Sequence, residues 1–159
     1  MLGINHFILS ESDAKAFEAI AHQLVAEALG KAAFILDQDG QILAASGELQ
    51  GLDTTSLATL AAGNAAATGA MASILRERAF TTQYHEGQSS NIHMQLVGER
   101  VLLLVVFDHR SSLGLVRLRA RRAEQKILDL LESMDLQSSD LPKGMPEITD
   151  EDIDRLFND

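Results

Sequence analysis

The sequence predicts an α+β sandwich, in which an antiparallel sheet carries helices on both faces. Three observations predict it. Apolar residues recur at helical spacing in three long segments, and shorter runs of strand length lie between them. The pairs Asp39-Gly40 and Gly98-Glu99 stand between consecutive strands, where they are typical of hairpin turns that join antiparallel neighbours. A hydrophobic content of 46 % in 159 residues is enough for the core of one domain.

The first helix is predicted at about 11–29. Ser10 can cap its beginning, and Gly30 can end it. Two short strands follow at 32–36 and 41–46, and the first of them is apolar throughout. The first structural unit is therefore a helix followed by a hairpin.

The middle helix is predicted at about 54–77, and its 22 residues from Thr54 to Leu75 include no charged side chain. An ordinary surface helix keeps one charged face. Gly63 and Gly69 each destabilise the helix by about 1 kcal/mol relative to alanine, so close approach by another helix is the expected compensation. Burial within the chain itself is the alternative. A membrane span is disfavoured, because nine of the 22 residues are Thr, Ser, Asn or Gly.

Helical spacing divides this helix into two faces. The face predicted to lie on the sheet consists of Leu57, Leu60, Ala61, Asn64, Ala67, Met71, Ile74 and Leu75. The opposite face presents small side chains, those of Thr55, Thr59, Ala62, Gly63, Ala66, Gly69, Ala70 and Ser73.

Three further strands are predicted at 80–85, 92–97 and 101–107. The last is continuously apolar, so we expect it to be central and covered on both faces. A third helix follows at about 112–134, with Ser111 or Ser112 as its cap. Its exposed basic residues form either a solvated face or a contact for an acidic partner; they are Arg117, Arg119, Arg121, Arg122 and Lys126.

The composition changes after the third helix. Residues 135–147 are predicted to be a flexible linker, and 148–159 a short amphipathic helix whose apolar face is Ile153, Leu156 and Phe157. Eight acids against two bases make residues 135–159 strongly negative. The apolar face is too small to fold alone, so this helix either orders on a partner or stays disordered.

Composition and motifs exclude several functions. A net charge of −10 argues against nucleic-acid binding, and the absence of cysteine excludes thiolate metal sites and cysteine nucleophiles. No phosphate-binding glycine loop is present, and neither a cofactor nor a metal site is predicted. Two weak candidates for chemistry remain. His85, Glu86 and His93 could form a metal site, but a solvated surface pair explains them better. Asp108 and His109 could belong to a hydrolase triad, but a loop followed by a helix cap explains them better.

Four segments carry a resemblance to a known family. They are Asp53-Thr54-Thr55-Ser56-Leu57-Ala58 with Leu60 to Asn64, His85-Glu86-Gly87, Val105 to Asp108 with Ser112 to Arg119, and Ile148 to Asp154 with Leu156-Phe157. With these segments the chain resembles the roadblock/dynein light chain superfamily. The terminal segment makes it most similar to the bacterial MglB proteins, which are partners of the Ras-like GTPase MglA in cell polarity and gliding motility.

The resemblance implies a roadblock-type, profilin-like sandwich, with the middle helix on one sheet face and the first and third helices on the other. It implies a homodimer through edge strands and middle helices, and one GTPase bound per dimer. Such a dimer activates GTP hydrolysis by reordering the GTPase's own active site, without an arginine finger and without catalytic residues of its own. The terminal helix, through Ile153, Leu156 and Phe157, would contact the GTPase at a separate surface.

The resemblance also assigns site residues. The GTPase-binding set is Thr59, Ala62, Gly63, Ala66, Ala70 and Ser73. The dimer set is Ala65, Gly69, Ala72, Arg76, Phe80 and Thr82. We expect a cytoplasmic protein, because no secretory signal is visible. The resemblance implies that it acts at a cell pole. The alternatives are a non-catalytic roadblock scaffold for a GTPase or motor complex, and a sensor domain with a small ligand in its core.

Overall fold

The computed structural model describes residues 9–139 and 150–157, which contain four helices and five strands. In chain order they are α1 (Glu11–Ala28), β1 (Ala32–Asp37), β2 (Ile42–Gly47), α2 (Thr54–Ile74), β3 (Thr82–Glu86), β4 (Asn91–Val97), β5 (Val101–Phe107), α3 (Leu113–Ser139) and α4 (Asp150–Phe157). The predicted fold class and the predicted order of the elements are confirmed.

The five strands form one sheet in the order β2-β1-β5-β4-β3, and every neighbouring pair is antiparallel. β5 is central, as its continuous apolar sequence predicts, and it is buried along nearly its whole length. β2 and β3 are the two edges. β3 is mostly exposed, so this edge leaves backbone groups open to another strand.

Alternate residues of the central strands build two separate cores. Ala33 and Ile35 of β1 pack with α1 and α3, whereas Phe34 and Leu36 point to the other face and pack with α2. The α1/α3 core combines large side chains, such as Phe17 and Ile127, with alanines such as Ala120. α2 therefore lies alone on its sheet face within the described residues.

Two helices end differently from the prediction. α1 ends at Ala28 because Leu29, not Gly30, adopts the left-handed conformation, with φ of 53°. α2 ends at Ile74 instead of residue 77, because Arg76 adopts φ of 57°. The N–H groups of Arg76 and Glu77 then donate back to the carbonyls of Ser73 and Ala72 at 3.1 and 2.8 Å, a Schellman-type stop.

α3 is longer than predicted. It continues to Ser139, so residues 135–139, which we predicted to begin the linker, are helical. Asp135 lies on this extension and forms an ion pair of 3.3 Å with Arg100 of the β4–β5 turn. No helix-breaking residue stands before Pro142, which explains why the helix continues. The rest of the predicted linker, 140–147, lies outside the described residues.

Candidate protein-interaction surface

The position of α2 is fixed at its beginning by Asp53. The two carboxylate oxygens of Asp53 accept hydrogen bonds from the backbone N–H of Ser56 at 3.1 Å and from its hydroxyl at 2.7 Å. These bonds lower the pKa of Asp53, because they stabilise the charged form. The predicted N-cap is therefore present and keeps a negative charge at the positive end of the helix dipole.

The rotation of α2 about its axis is set by contacts on its two flanks. On one flank the β1–β2 turn comes so close that a Cβ at Gly40 would lie 3.0 Å from Cα of Thr59. On the other flank the side-chain amide of Gln83 on β3 donates to the hydroxyl of Thr68 at 3.0 Å. One flank of α2 thus borders the β1–β2 turn, and the other borders the edge strand β3.

The residues of α2 that pack on the sheet are almost all alanines. Ala58, Ala61, Ala62 and Ala72 are buried, and Leu57 and Ala65 are partly buried against the same core. The sheet contributes the bulk, since its own side chains in this core are large; they include Phe34, Leu36, Met94, Leu102 and Leu104. Alanines allow the helix backbone to approach these side chains closely.

This arrangement corrects the predicted sheet-facing stripe. Leu57, Ala61 and Asn64 do lie toward the chain's own interior. Leu60 is 71 % exposed and Ile74 is 81 % exposed, and Ala67, Met71 and Leu75 are exposed with them. The larger side chains of α2 therefore point away from the sheet, because the smaller ones already occupy the space above it.

Five of the six predicted GTPase-binding residues lie on the exposed surface, namely Thr59, Gly63, Ala66, Ala70 and Ser73. The sixth, Ala62, is only 6 % exposed and packs on the sheet, so its side chain offers almost no surface to a partner. The hydroxyls of Thr59 and Ser73 donate to carbonyls one turn earlier, at 2.9 and 3.3 Å, so both hydroxyl hydrogens are used within the helix.

The predicted dimer residues divide in the same way. Gly69, Arg76, Phe80 and Thr82 are exposed, and Ala65 is partly buried. Ala72 is fully buried by the chain itself, so it has no side-chain surface left for a second copy. A Cβ at Gly63 or Gly69 would meet no atom within 4 Å, so packing within the chain does not require glycine at either position.

Two open grooves border α2. The first, of about 580 Å³, lies between its first turns and the sheet end, and its apolar lining includes Leu52, Leu57 and Ile92. The second, of about 570 Å³, borders the opposite flank and is lined in part by Ala66 and Arg78. α2 is also long and apolar enough to cross a membrane by length and composition alone. Length and composition alone are weak evidence for a membrane span, since core helices of soluble proteins share them.

The two histidines of the candidate metal site lie on opposite faces of the sheet. His85 pairs with Ile92 on the α2 side of the sheet, whereas His93 pairs with Tyr84 and lies under α3, so the two rings are on opposite faces. The prediction that His93 is solvated is wrong, because it is 1 % exposed. No group of three metal-binding side chains occurs within residues 9–139 and 150–157.

His93 belongs to a buried polar chain between β4 and α3. Its Nε2 lies 3.0 Å from Oε1 of Gln95, and the amide of Gln95 donates to Glu124 at 2.7 Å. Burial lowers the pKa of His93 and outweighs the opposing effect of the Gln95 bond, while the nearby charge of Arg117 lowers it further. His93 is therefore neutral in the folded protein near pH 7.

The loop before α3 is structural. Asp108 binds the guanidinium of Arg110, which together with a backbone bond lowers the pKa of Asp108 to about 2. The hydroxyl of Ser111 donates to the carbonyl of Ala28, and that of Ser112 accepts from the N–H of Leu115 at 3.2 Å. This confirms the loop-and-cap interpretation over a hydrolase triad.

Comparison with known proteins gives a consistent result. The family model of the Roadblock/LC7 domain matches residues 24–107. The structure is similar to "Myxococcus xanthus MglB", with 41 % identity, a TM-score of 0.76, and coverage of 80 % of this chain and 96 % of that one.

Two more solved structures are similar to this chain. The gliding protein MglB from Thermus thermophilus has 31 % identity and a TM-score of 0.73, over 79 % of this chain and 96 % of that one. A structure described as MglB with tetrameric arrangement has 30 % identity and a TM-score of 0.74, over 79 % and 95 %. A comparison with curated protein sequences found no match.

Proposed function

The chain belongs to the Roadblock/LC7 domain family, and from that premise we propose that it is a homodimeric GTPase-activating protein for a small Ras-like GTPase of the MglA type. The observation that carries the proposal is the outer face of α2. It is exposed and uncharged over the 21 residues of the helix, and it carries large apolar side chains such as Leu60 and Ile74 beside small ones. Such a surface favours contact with another protein.

A homodimer accounts for one part of that face. The exposed residues Leu60 and Met71 lie toward the flank that borders β3, next to an edge strand with open backbone groups. A two-fold axis beside β3 would pair the two β3 edges and bring the two α2 helices together, so that one self-complementary patch covers both features. This makes Leu60, Met71, Ile74 and Leu75 the main dimer contacts, in addition to Phe80 and Thr82.

The groove at the first turns of α2 fits the same arrangement. When two α2 helices pack antiparallel, the last turn of one lies beside the first turns of the other. Met71 and Leu75 of one copy would then reach the groove lined by Leu52, Leu57 and Ile92 of the second copy. The dimer would fill an open apolar groove and cover exposed apolar side chains in one step.

The GTPase would occupy the small-residue flank of both α2 helices. Thr59, Gly63, Ala66, Ala70 and Ser73 lie on this flank or on top of the helix, and their short side chains let a partner's backbone approach closely. Glycine at position 63, for which packing within the chain gives no reason, is explained by such an approach. One dimer then binds one GTPase, because the partner lies across both helices.

The proposed mechanism uses the catalytic groups of the GTPase. Arginine fingers accelerate GTP hydrolysis by about 10³- to 10⁵-fold in other GTPases. The outer face of α2 carries no arginine, so this protein would act by fixing the positions of the partner's own switch and active-site residues. Arg76 and Arg78 stand at the end of the helix and provide a direct test. The variants Arg76→Ala and Arg78→Ala should still accelerate hydrolysis. Loss of acceleration in a variant that still dimerises and still binds the GTPase would support an arginine-finger mechanism instead.

We also propose a role for the remaining parts of the chain. The exposed apolar face of α4 (Ile153, Leu156 and Phe157) would contact the GTPase at a second surface, joined to α3 through residues 140–149. The protein would act in the cytoplasm at a cell pole, in the control of polarity and gliding.

The test is co-purification with a small Ras-like GTPase of the MglA type, followed by GTP hydrolysis with and without the protein. The proposal requires a stable complex in the GTP-bound state and faster hydrolysis. A stable complex without faster hydrolysis would support the scaffold alternative, and no complex would refute both.

A further inference from the structure

A basic patch lies on α3, on the sheet face opposite to α2. It consists of Arg117, Leu118, Arg121 and Arg122, called here the α3 patch. Leu118 is 60 % exposed, and the three arginines are exposed around it. Arg121 and Arg122 follow Leu118 by three and four residues, so all three side chains share one side of the helix. The patch therefore combines an apolar centre with a positive rim.

None of the ion pairs among the described residues involves Arg117, Arg121 or Arg122. One acid of α1, Glu27, lines a small surface pocket together with Arg122, but it forms no ion pair with the guanidinium. The acid on this stretch of the helix, Glu124, accepts a bond from Gln95 and points inward. Arg117 and Arg121 stand four residues apart, a like-charge spacing that destabilises a helix. An acidic partner would relieve this repulsion, although the chain as a whole is strongly negative.

α4 has the complementary chemistry. Its apolar side chains Ile153, Leu156 and Phe157 are exposed at helical spacing. Its acids Asp150, Glu151 and Asp154 are exposed beside them. α4 is thus a short helix with an uncovered apolar face and a negative rim, which matches the α3 patch in both apolar character and charge.

We propose that α4 docks along the α3 patch of the same chain, with its apolar face on Leu118 and its acids against the arginines. The chain is long enough for this contact. From Arg122 to Ser139 the helix rises by roughly 25 Å. The ten residues between Ser139 and Asp150 span at most about 35 Å when extended, so α4 can return to the patch.

Docking covers the apolar face of α4 and lowers its availability to any other protein. The contact uses neither the outer face of α2 nor a nucleotide. It competes with the second GTPase contact proposed above for α4, but it does not depend on the proposed contact at α2, and its test needs no GTPase.

The experiment uses the full chain. The sequence contains no cysteine, so Asp159→Cys creates a unique site for a nitroxide spin label. Paramagnetic broadening of the ¹⁵N-labelled backbone is then measured at low ionic strength. We expect broadening along residues 114–125 of α3, and we expect 1 M salt to reduce it strongly, because salt screens exposed charges.

Charge reversal identifies the contact. Arg121→Glu with Arg122→Glu should abolish the broadening, whereas the matched control Lys15→Glu with Arg78→Glu, which makes the same charge change elsewhere on the surface, should leave it intact. Adding Asp150→Lys, Glu151→Lys and Asp154→Lys to the reversed patch should restore it. This α4 triple variant alone should also abolish the contact, and it cannot unfold the two cores, which contain no α4 residue.

Three outcomes would overturn the proposal. They are absence of broadening on α3, broadening that persists after reversal of Arg121 and Arg122, and broadening in a mixture where the spin label and the ¹⁵N nuclei are on different chains. The last outcome would assign the contact to a second copy.

Discussion

Introducing charge on the outer face of α2 is the sharpest perturbation of the proposed GTPase contact. We consider the double substitution Ala66→Arg with Ala70→Arg. Both side chains are exposed, and both lie away from the alanines that pack on the sheet. The two new guanidinium groups would stand four residues apart on the uncharged face that the GTPase is proposed to cover.

The structure indicates that the chain tolerates this change. Arginine has nearly the same helix propensity as alanine, and the like-charge spacing destabilises the helix by about 0.2–0.5 kcal/mol. Exposed substitutions of this kind usually change the free energy of unfolding by less than about 0.5 kcal/mol. The protein should therefore stay folded, and it should stay dimeric because the β3 edge is untouched.

The effect on binding is much larger. An unpaired charge trapped in an apolar contact weakens association by about 2–5 kcal/mol. A value of about 3 kcal/mol corresponds to a roughly 100-fold increase in the dissociation constant for a single arginine. Because both positions are changed in both copies, complex formation should become undetectable at micromolar concentrations.

Isothermal titration calorimetry with the GTP-analogue-bound GTPase measures this effect, and circular dichroism on heating checks the fold. The matched control is Ala19→Arg with Ala26→Arg, two exposed alanines of α1 on the opposite sheet face. The control should bind like the unmodified protein. Unchanged affinity in the α2 variant, with its fold intact, would refute the assignment of the contact to this face.

Three further predictions follow from the same structure. Leu60→Ser with Ile74→Ser should weaken dimerisation by several kcal/mol, since burying each side chain contributes about 1–2 kcal/mol at its exposed fraction. Sedimentation equilibrium measures the dimer dissociation constant. Leu118→Ser, at an exposed leucine outside the interface, should leave that constant unchanged. The neutral, buried His93 binds a proton less readily in the folded than in the unfolded chain, so the free energy of unfolding should fall as pH decreases below about 6.5, by up to about 1.4 kcal/mol per pH unit. His93→Gln should flatten that slope in urea titrations at pH 7 to 5, whereas the exposed His85→Gln should not. Deletion of residues 146–159 should leave dimerisation intact but change GTPase affinity or nucleotide exchange; identical values in the truncated protein would remove the tail from the mechanism.

The fold was predictable because its signals are local. The continuous apolar run of β5 predicted a central strand, and helical spacing predicted α1 and α3. Hairpins join the consecutive strands β1–β2, β3–β4 and β4–β5, so an antiparallel sheet was predictable without knowledge of distant contacts. The full strand order was not predictable, because the β1–β5 pair joins strands that are distant in sequence.

The rotation of α2 was not predictable in the same way. The usual preference for burying large apolar side chains predicts that Leu60 and Met71 face the sheet. The sheet itself supplies the bulk through Phe34 and Leu104, so mostly alanines fit beneath the helix. The alanines at 58, 61, 62, 65 and 72 share one side of the helix, and this stripe is the signal that would have indicated the orientation.

His93 illustrates a second limit. Alternation along β4 assigned it to the polar face, which was expected to be solvated. That face is in fact covered by α3, and the histidine is accommodated by Gln95 and Glu124 from two elements. A polar pattern on a strand does not reveal that a helix covers it, because that helix, here α3, is distant in sequence from the strand.

The most direct test of the central claim is single-turnover GTP hydrolysis by the partner GTPase, measured over a series of concentrations of this protein. Our account predicts that the rate rises and saturates at two chains per GTPase, and that Ala66→Arg with Ala70→Arg removes the increase. A rate that does not change at any ratio, although a complex forms, would contradict the account.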